Sequence, residues 1–262
     1  MPEVETIVRQ LNAKVGGKTI SSVEIYDPVV VEERIKAVLN IRITKVRRRA
    51  KAIIFELDNG KFLLAHLRMT GHFHYLPREH KNTDHQRFMV AKFIFSDGSF
   101  LTHNSIRRFG RIRLLDKKQL ETELGKYGPE PLDLTAAQFS AALERKTRAN
   151  VKTTLMDLRV IAGIGNIYAQ EALYYSRISP LRSVGTLSKS EMNALHKNTQ
   201  TVLQRAIEEQ GCTVDNYSNL EGRGGFQNFL AVYGREKCLK SHPLTKITIG
   251  GRGTSYCPKC QR

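Results

Sequence analysis

The chain has 262 residues, 40% hydrophobic and 26% charged, enough for two compact domains with cores of their own. No apolar run approaches the ~18 residues of a membrane span, and the opening MPEVETIVRQL lacks the shape of a signal peptide. Membrane and secreted classes are therefore set aside and a cytoplasmic protein is expected. A formal net charge of +17 and a pI near 9.9 favour a polyanionic partner, because each phosphate neutralised by Lys or Arg releases counterions.

Val4, Ile7, Val8, Leu11 and Val15 recur at helical spacing, and Gly16-Gly17 stop that first helix. Short alternating runs follow at Thr19–Tyr26, Arg42–Arg49, Ala52–Leu57, Phe62–Leu67, Phe88–Phe95, Phe100–Asn104 and Arg111–Leu115. Asp58-Asn59-Gly60 and Asp97-Gly98 punctuate them as hairpin turns. The expected architecture is a β-sandwich carrying the N-terminal helix. A Gly/Pro-rich break at 126–132 marks a domain boundary. Beyond it the pattern turns helical at Ala136–Glu144, Val151–Asp157, Asn166–Ser176 and Lys189–Gln210, the last opened by a Ser188/Glu191 capping box. The fold class is α+β in two domains, with 1–128 as the sandwich, 129–232 as a helical domain and 233–262 as a hairpin appended to it.

Three stretches carry chemistry. Gly163-Ile164-Gly165-Asn166 joins two helices, and its backbone N–H groups open the second, a setting that stabilises a phosphate. Asn166 either caps that helix or turns its amide to the anion, and the bland alternative is a helical hairpin with glycines only for the bend. Near the C-terminus, Cys257-x-x-Cys260 makes a zinc knuckle, and Cys238-x3-His242 supplies a second pair. Four protein ligands leave no open position, so such a zinc ion is structural; the alternative is a hairpin held by packing alone with His242 on the surface. At the other end, removal of Met1 before Pro2 exposes a secondary amine. A terminal amine with pKa about 8 is roughly a tenth neutral at pH 7, which makes it a ready nucleophile. Glu3 would move protons beside it. Alternatively, Pro2 only starts the helix at a tolerated position and Glu3 favours its dipole.

VIAGIGNIYAQEALYYSRISP closely resembles the helix–two-turn–helix of the formamidopyrimidine-DNA glycosylase and endonuclease VIII family of base-excision repair enzymes, and further matches are scattered over nearly the whole chain. The resemblance implies that Pro2 attacks C1′ of a damaged nucleotide, with Glu3 as general acid/base. Lys51, in VRRRAKAIIFEL, would meet the lesion sugar and phosphate. HLRMTG, at 66–71, is similar to the family's His-Leu-Gly-Met-Ser-Gly, making Met69 a wedge that fills the void left by the flipped nucleotide, with Arg68 where the family has Gly. NSIRRFG, at 104–110, resembles Asn-Asp-Pro-Arg-Arg-Phe-Gly, so Arg107 would face the orphaned base and Phe109 would wedge beside it. Lys152, Asn166 and Arg252 are implied as contacts to backbone phosphates. Glu171 would order the helix pair, and the Gly-rich stretch 211–229 stands where the family has its lesion-recognition loop. The family usually opens Met-Pro-Glu-Leu-Pro-Glu-Val-Glu-Thr; this chain is three residues shorter, so Pro2-Glu3 matches either Pro-Glu pair.

The function so implied is a monomeric bifunctional DNA glycosylase and AP lyase, holding one structural Zn2+ on Cys238, His242, Cys257 and Cys260. Its partner is double-stranded DNA containing a damaged base or abasic site. The competing expectations are a lesion- or abasic-site-binding protein of the same fold without efficient chemistry, and an RNA binder using the same helix pair.

Overall fold

A computed structural model of the chain describes residues 1–77, 88–214 and 218–262. The described residues divide into two compact units. One comprises Glu3–Leu124 and Gln210–Gly225; the other comprises Met1–Pro2, Gly125–Glu209 and Phe226–Arg262.

In the first unit a helix, α1 (Pro2–Val15), precedes eight strands: β1 (Thr19–Ile25), β2 (Ile41–Arg49), β3 (Ala52–Leu57), β4 (Phe62–His66), β5 (Gly71–Leu76), β6 (Met89–Phe95), β7 (Phe100–Ser105) and β8 (Arg111–Leu115). They run in the order β5-β7-β6-β1-β2-β3-β4-β8, each pair antiparallel. β1 and β2 pair only at Thr19↔Arg42 and Ile20↔Ile41, so the sheet folds over at that corner into the two layers of a sandwich. Ile7, Leu11 and Val15 of α1 are buried with Ile20, Ile53, Phe55, Phe73 and Phe93 in one core. Each such side chain removed from water contributes roughly 1.5–3 kcal/mol.

Among the strands and α-helices of this unit, two elements are not legible in the sequence. β5 hides because His72 and His74 alternate with Phe73 and Tyr75 in a run that reads as polar. A second helix, α2 (Lys117–Leu124), buries little beyond Leu120. It nevertheless explains why β3 lacks alternation. Ile53 and Phe55 face the main core, whereas Ala52 and Ile54 face a second cluster with Leu64, Leu115 and Leu120. A strand covered on both faces reads as a continuous apolar run.

The second unit is helical: α3 (Ala136–Glu144), α4 (Val151–Met156), α5 (Asn166–Tyr175) and α6 (Lys189–Glu208), closed by a hairpin of β9 (Thr245–Ile249) and β10 (Arg252–Tyr256). The Ser188/Glu191 capping box of α6 is formed, as is a second one, Thr135/Gln138, on α3. The stretch 211–229 is shared between the units; its residues 215–217 lie outside the described ones. Gln10 of α1 binds the described part, accepting from Leu220 N at 3.0 Å and donating to Glu221 Oε2 at 3.2 Å.

β7 buries an imidazole. His103 is fully buried, its Nδ1–H donates to His72 O at 3.2 Å, and its Nε2 has no partner among the described residues. Burial lowers its pKa from 6.5 to about 4. Because the folded state resists this proton, the stability is fully present above pH 6.5 and drains away as pH falls towards 4. The full loss is about 3 kcal/mol, taking 1.36 kcal/mol per pK unit. Urea midpoints measured from pH 7 to pH 4 should fall accordingly, and His103→Asn, which keeps a donor for His72 O, should flatten that dependence.

Candidate nucleic-acid interface and metal centre

In the sandwich unit the two loops that carry the candidate wedges are joined. Arg68 sits at φ 58°, the left-handed region where the family's Gly would be unstrained, and it turns the chain so that Met69 stands 58% exposed. The next residue, Thr70, is buried, and its hydroxyl accepts the Arg107 backbone N–H at 2.9 Å. The Arg107 guanidinium reaches Met69 Sδ at 3.5 Å. Ser105, in place of the family's Asp, still accepts the Arg108 N–H at 3.1 Å and so keeps the turn. Arg108, at φ 53°, pairs with Asp27 at 3.4 Å. Beyond it, Phe109 is 61% exposed and Ile106 45%. The sequence-predicted Met69, Arg107 and Phe109 thus lie on two tied loops, with large apolar side chains held in solvent among cations. Ile106 and the tether Thr70 were not foreseen; a lone Thr in a loop gives no signal.

Lys51 follows Ala50, whose φ of 55° makes the tight turn between β2 and β3. That turn is fastened to α1: Glu5 accepts from Arg48 Nε at 2.8 Å, and Arg48 Nη1 donates to Ala50 O at 2.9 Å. Burial pushes the Glu5 carboxyl up, but Arg48 and Arg9 outweigh it and hold its pKa below the usual range. Pro2 begins α1 and is buried, Glu3 is half-buried, and Met1 ahead of them is only 2% exposed.

In the helical unit the turn before α5 places Gly163 at φ 85°, which a side chain would strain. Asn166 does not cap α5: the cap is Gly165, and Asn166 is the first helical residue. Its amide Nδ2 donates instead to Gly253 O on β10 at 3.1 Å, leaving Oδ1 buried without a partner among the described residues. Lys152 on α4 is completely buried, its Nζ 2.7 Å from Thr254 Oγ1. Burial first, and the Arg252 charge second, lower its pKa to about 8. The hairpin turn presses on the same helix, for a Cβ on Gly250 would come within 2.7 Å of Thr153 Cγ2. The structure therefore gathers Lys152, Asn166 and Arg252 around one contact between α4, α5 and β10. Gln170 and Thr254 complete that contact and were missed, because buried polar residues on α5 and β10 follow no apolar period.

The far end of the hairpin is the metal centre. One ligand atom each from Cys238, His242, Cys257 and Cys260 lies within 4.8 Å of the others. His242 Nδ1 is 3.3 Å from Cys260 Sγ and 3.7 Å from Cys257 Sγ. A tetrahedral zinc with bonds of ~2.3 Å to sulfur and ~2.05 Å to nitrogen requires ~3.6 Å between such atoms. Three soft thiolates and one imidazole fit zinc, with no vacant position, so this is a structural zinc site. The loop between the first two ligands is closed by backbone hydrogen bonds, Cys238 N–H donating to His242 O at 2.9 Å and Ser241 N–H to Cys238 O at 2.9 Å. Cys212 is buried elsewhere and is not part of the cluster.

A sandwich with an N-terminal helix, followed by a helix–two-turn–helix clamped to a zinc hairpin, defines a DNA-repair glycosylase class of architecture. Two family models match: the formamidopyrimidine-DNA glycosylase N-terminal domain over residues 1–112 and its H2TH domain over residues 127–218. The chain belongs to the formamidopyrimidine-DNA glycosylase/endonuclease VIII family. It is 38% identical to a formamidopyrimidine-DNA glycosylase of an Exiguobacterium species over 276 aligned positions, covering 100% of this chain and 98% of that protein. A solved complex of the Lactococcus lactis Fpg with DNA containing an abasic site is similar at a TM-score of 0.90 and 33% identity, covering 100% of this chain and 99% of that one. The MutM (Fpg) protein of Thermus thermophilus superposes at 0.87 with 36% identity, covering 100% of this chain and 98% of that one. Among the described residues no helix is long and apolar enough to cross a membrane.

Metal analysis should return one zinc per chain. Cys257→Ser should lose it and Cys212→Ser should keep it. Chelation of the native protein should lower the Tm of the helical unit, because the metal closes a hairpin whose two strands alone are marginal.

Proposed function

We propose that this chain is a bifunctional DNA glycosylase with AP lyase activity that flips a damaged nucleotide out of duplex DNA, excises the base and nicks the strand. The observation that carries this reading is the pair of tied loops holding Met69, Arg107 and Phe109 out into solvent. Exposed apolar side chains of this size are unfavourable in water, and they find a use when inserted between bases. Flipping costs a few kcal/mol, which the Met69 and Phe109 insertions offset while Arg107 takes up the unpaired base opposite. Arg252, with Asn166 beside it, holds the flanking phosphates, the buried Lys152 supports that contact through Thr254 rather than reaching the DNA itself, and Lys51 meets the sugar and phosphate of the lesion. The partner is double-stranded DNA bearing a damaged base or an abasic site, and the protein acts on it as a cytoplasmic, nucleoid-associated monomer.

The lyase step belongs to Pro2. Its nitrogen lone pair forms a bond to C1′ as the N-glycosidic bond breaks and the base departs with the electron pair and a proton. The N,O-acetal so formed opens as the nitrogen lone pair makes the C1′=N bond and the C1′–O4′ bond breaks, O4′ taking a proton from Glu3. The resulting iminium acidifies the neighbouring C2′–H, and loss of that proton expels the 3′ phosphate. Glu3 serves as the general acid/base. All of this requires a free amine. While Met1 is attached, the Pro2 nitrogen is a tertiary amide whose lone pair is delocalised into the carbonyl. The burial of Met1, at 2% exposure, favours a second reading for any molecule that retains it: a binder of abasic sites without strand cleavage.

Borohydride reduction in the presence of abasic-site duplex separates the two. Protein shown by mass spectrometry to lack Met1 should be trapped covalently, whereas protein that retains Met1, with its Pro2 nitrogen held in an amide, should not be trapped through Pro2. A borohydride cross-link mapped to any residue other than Pro2 in the Met1-free protein would remove Pro2 from the mechanism.

A further inference from the structure

Gln170 lies on α5, between the phosphate-clamp candidate Asn166 and the buried Glu171, and the reading above gives it no role. It is 2% exposed, yet its amide is fully engaged. Nε2 donates to Gly253 O at 3.2 Å and to Asn166 O at 3.0 Å, and Oε1 accepts the Ser255 N–H at 2.7 Å. β10 pairs with β9 on one side, with Arg252↔Ile249 closest to the turn and Tyr256↔Thr245 furthest from it. Gly253 O and Ser255 N–H point the other way, along the free edge. A single group that gives a hydrogen to the carbonyl of one residue and takes one from the amide two residues on makes the pattern of a neighbouring parallel strand.

We infer that Gln170 is a positioning residue for Arg252. Its side-chain amide stands in as the third strand of the zinc hairpin and fixes β10, and with it the Arg252 side chain, against α5. The inference rests on the reading of this unit as a clamp on duplex phosphates. Zinc ties the end of the hairpin beyond Tyr256, and Gly250 presses its turn on Thr153. Between those two fastenings an unpaired edge would exchange with water and let β10 twist. Gln170 closes that edge, and the same Gly253 carbonyl takes the Asn166 amide, so both phosphate contacts are set from one backbone group.

The test uses the full zinc-loaded protein and a duplex carrying a tetrahydrofuran abasic analogue. Gln170→Leu removes all three hydrogen bonds at similar volume. It should weaken duplex binding about tenfold while retaining one zinc per chain. The slope of log affinity against log salt should shrink by about one phosphate. In an Arg252→Ala background the same change should add less than twofold, because two residues acting through one contact are not additive. A tenfold loss in both backgrounds, or no loss in the native background, would overturn the inference. Should Gln170→Leu release zinc, Gln170→Asn keeps the amide one methylene too short to bridge both groups; an intermediate loss supports the assignment, and native affinity refutes it. If the unsubstituted protein binds intact and abasic duplex equally, the functional reading fails instead, whatever the variants do.

Discussion

The Glu171 carboxylate, completely buried, accepts three successive backbone N–H groups: Ala231 at 2.7 Å, Val232 at 3.1 Å and Tyr233 at 2.9 Å. Burial pushes its pKa up, and the three amides work against that. An anion suits this place, since each N–H is an acidic partner and a protonated carboxyl would have to find an acceptor of its own. Left unpaired, the three amides would each cost about 1–3 kcal/mol. The contact ties α5 to the segment that leads into Cys238, while Gln170, one residue earlier, ties α5 to β10. Two adjacent side chains on one helix therefore seize both approaches to the metal hairpin. Lys152, Asn166 and Arg252 keep their common setting only while those attachments hold.

The sandwich unit solves a parallel problem with different means. Its candidate functional side chains sit on turns, where the backbone has no ladder to hold it, and each turn is pinned by a buried or half-buried polar partner. Thr70 pins the Arg107 loop, Asp27 pins Arg108, and Glu5 through Arg48 pins the turn before Lys51. Three of these turns pass through a non-glycine residue at positive φ, at Ala50, Arg68 and Arg108. Such conformations persist only where the surroundings over-determine them. An excess of seventeen positive charges supplies the long-range attraction to DNA, and these short contacts fix which side chains the turns present to solvent.

Much of this was legible in the sequence, for identifiable reasons. The apolar period of α1, the Ser188/Glu191 cap of α6 and the alternation of most strands are local signals, and they survive into the structure. The metal ligands were readable because zinc demands particular residue types at particular spacings. What stayed hidden depends on contacts distant in the chain. α2 contributes little more than Leu120 to a core, so its stripe is too thin to register. Asn166 looked like a cap until Gly253, eighty-seven residues away, claimed its amide. Gln170, Thr70 and Thr254 belong to the same class: polar residues whose partners the chain brings together only on folding.

Amide hydrogen exchange at Ala231, Val232 and Tyr233 probes the Glu171 contact most directly. These three should rank with the slowest amides of the helical unit, and Glu171→Gln should speed them together with Ser255 by about tenfold or more, leaving the β3 and β4 amides unchanged. Exchange of the three at the rate of an open loop in the native protein, or no response to Glu171→Gln, would contradict the account.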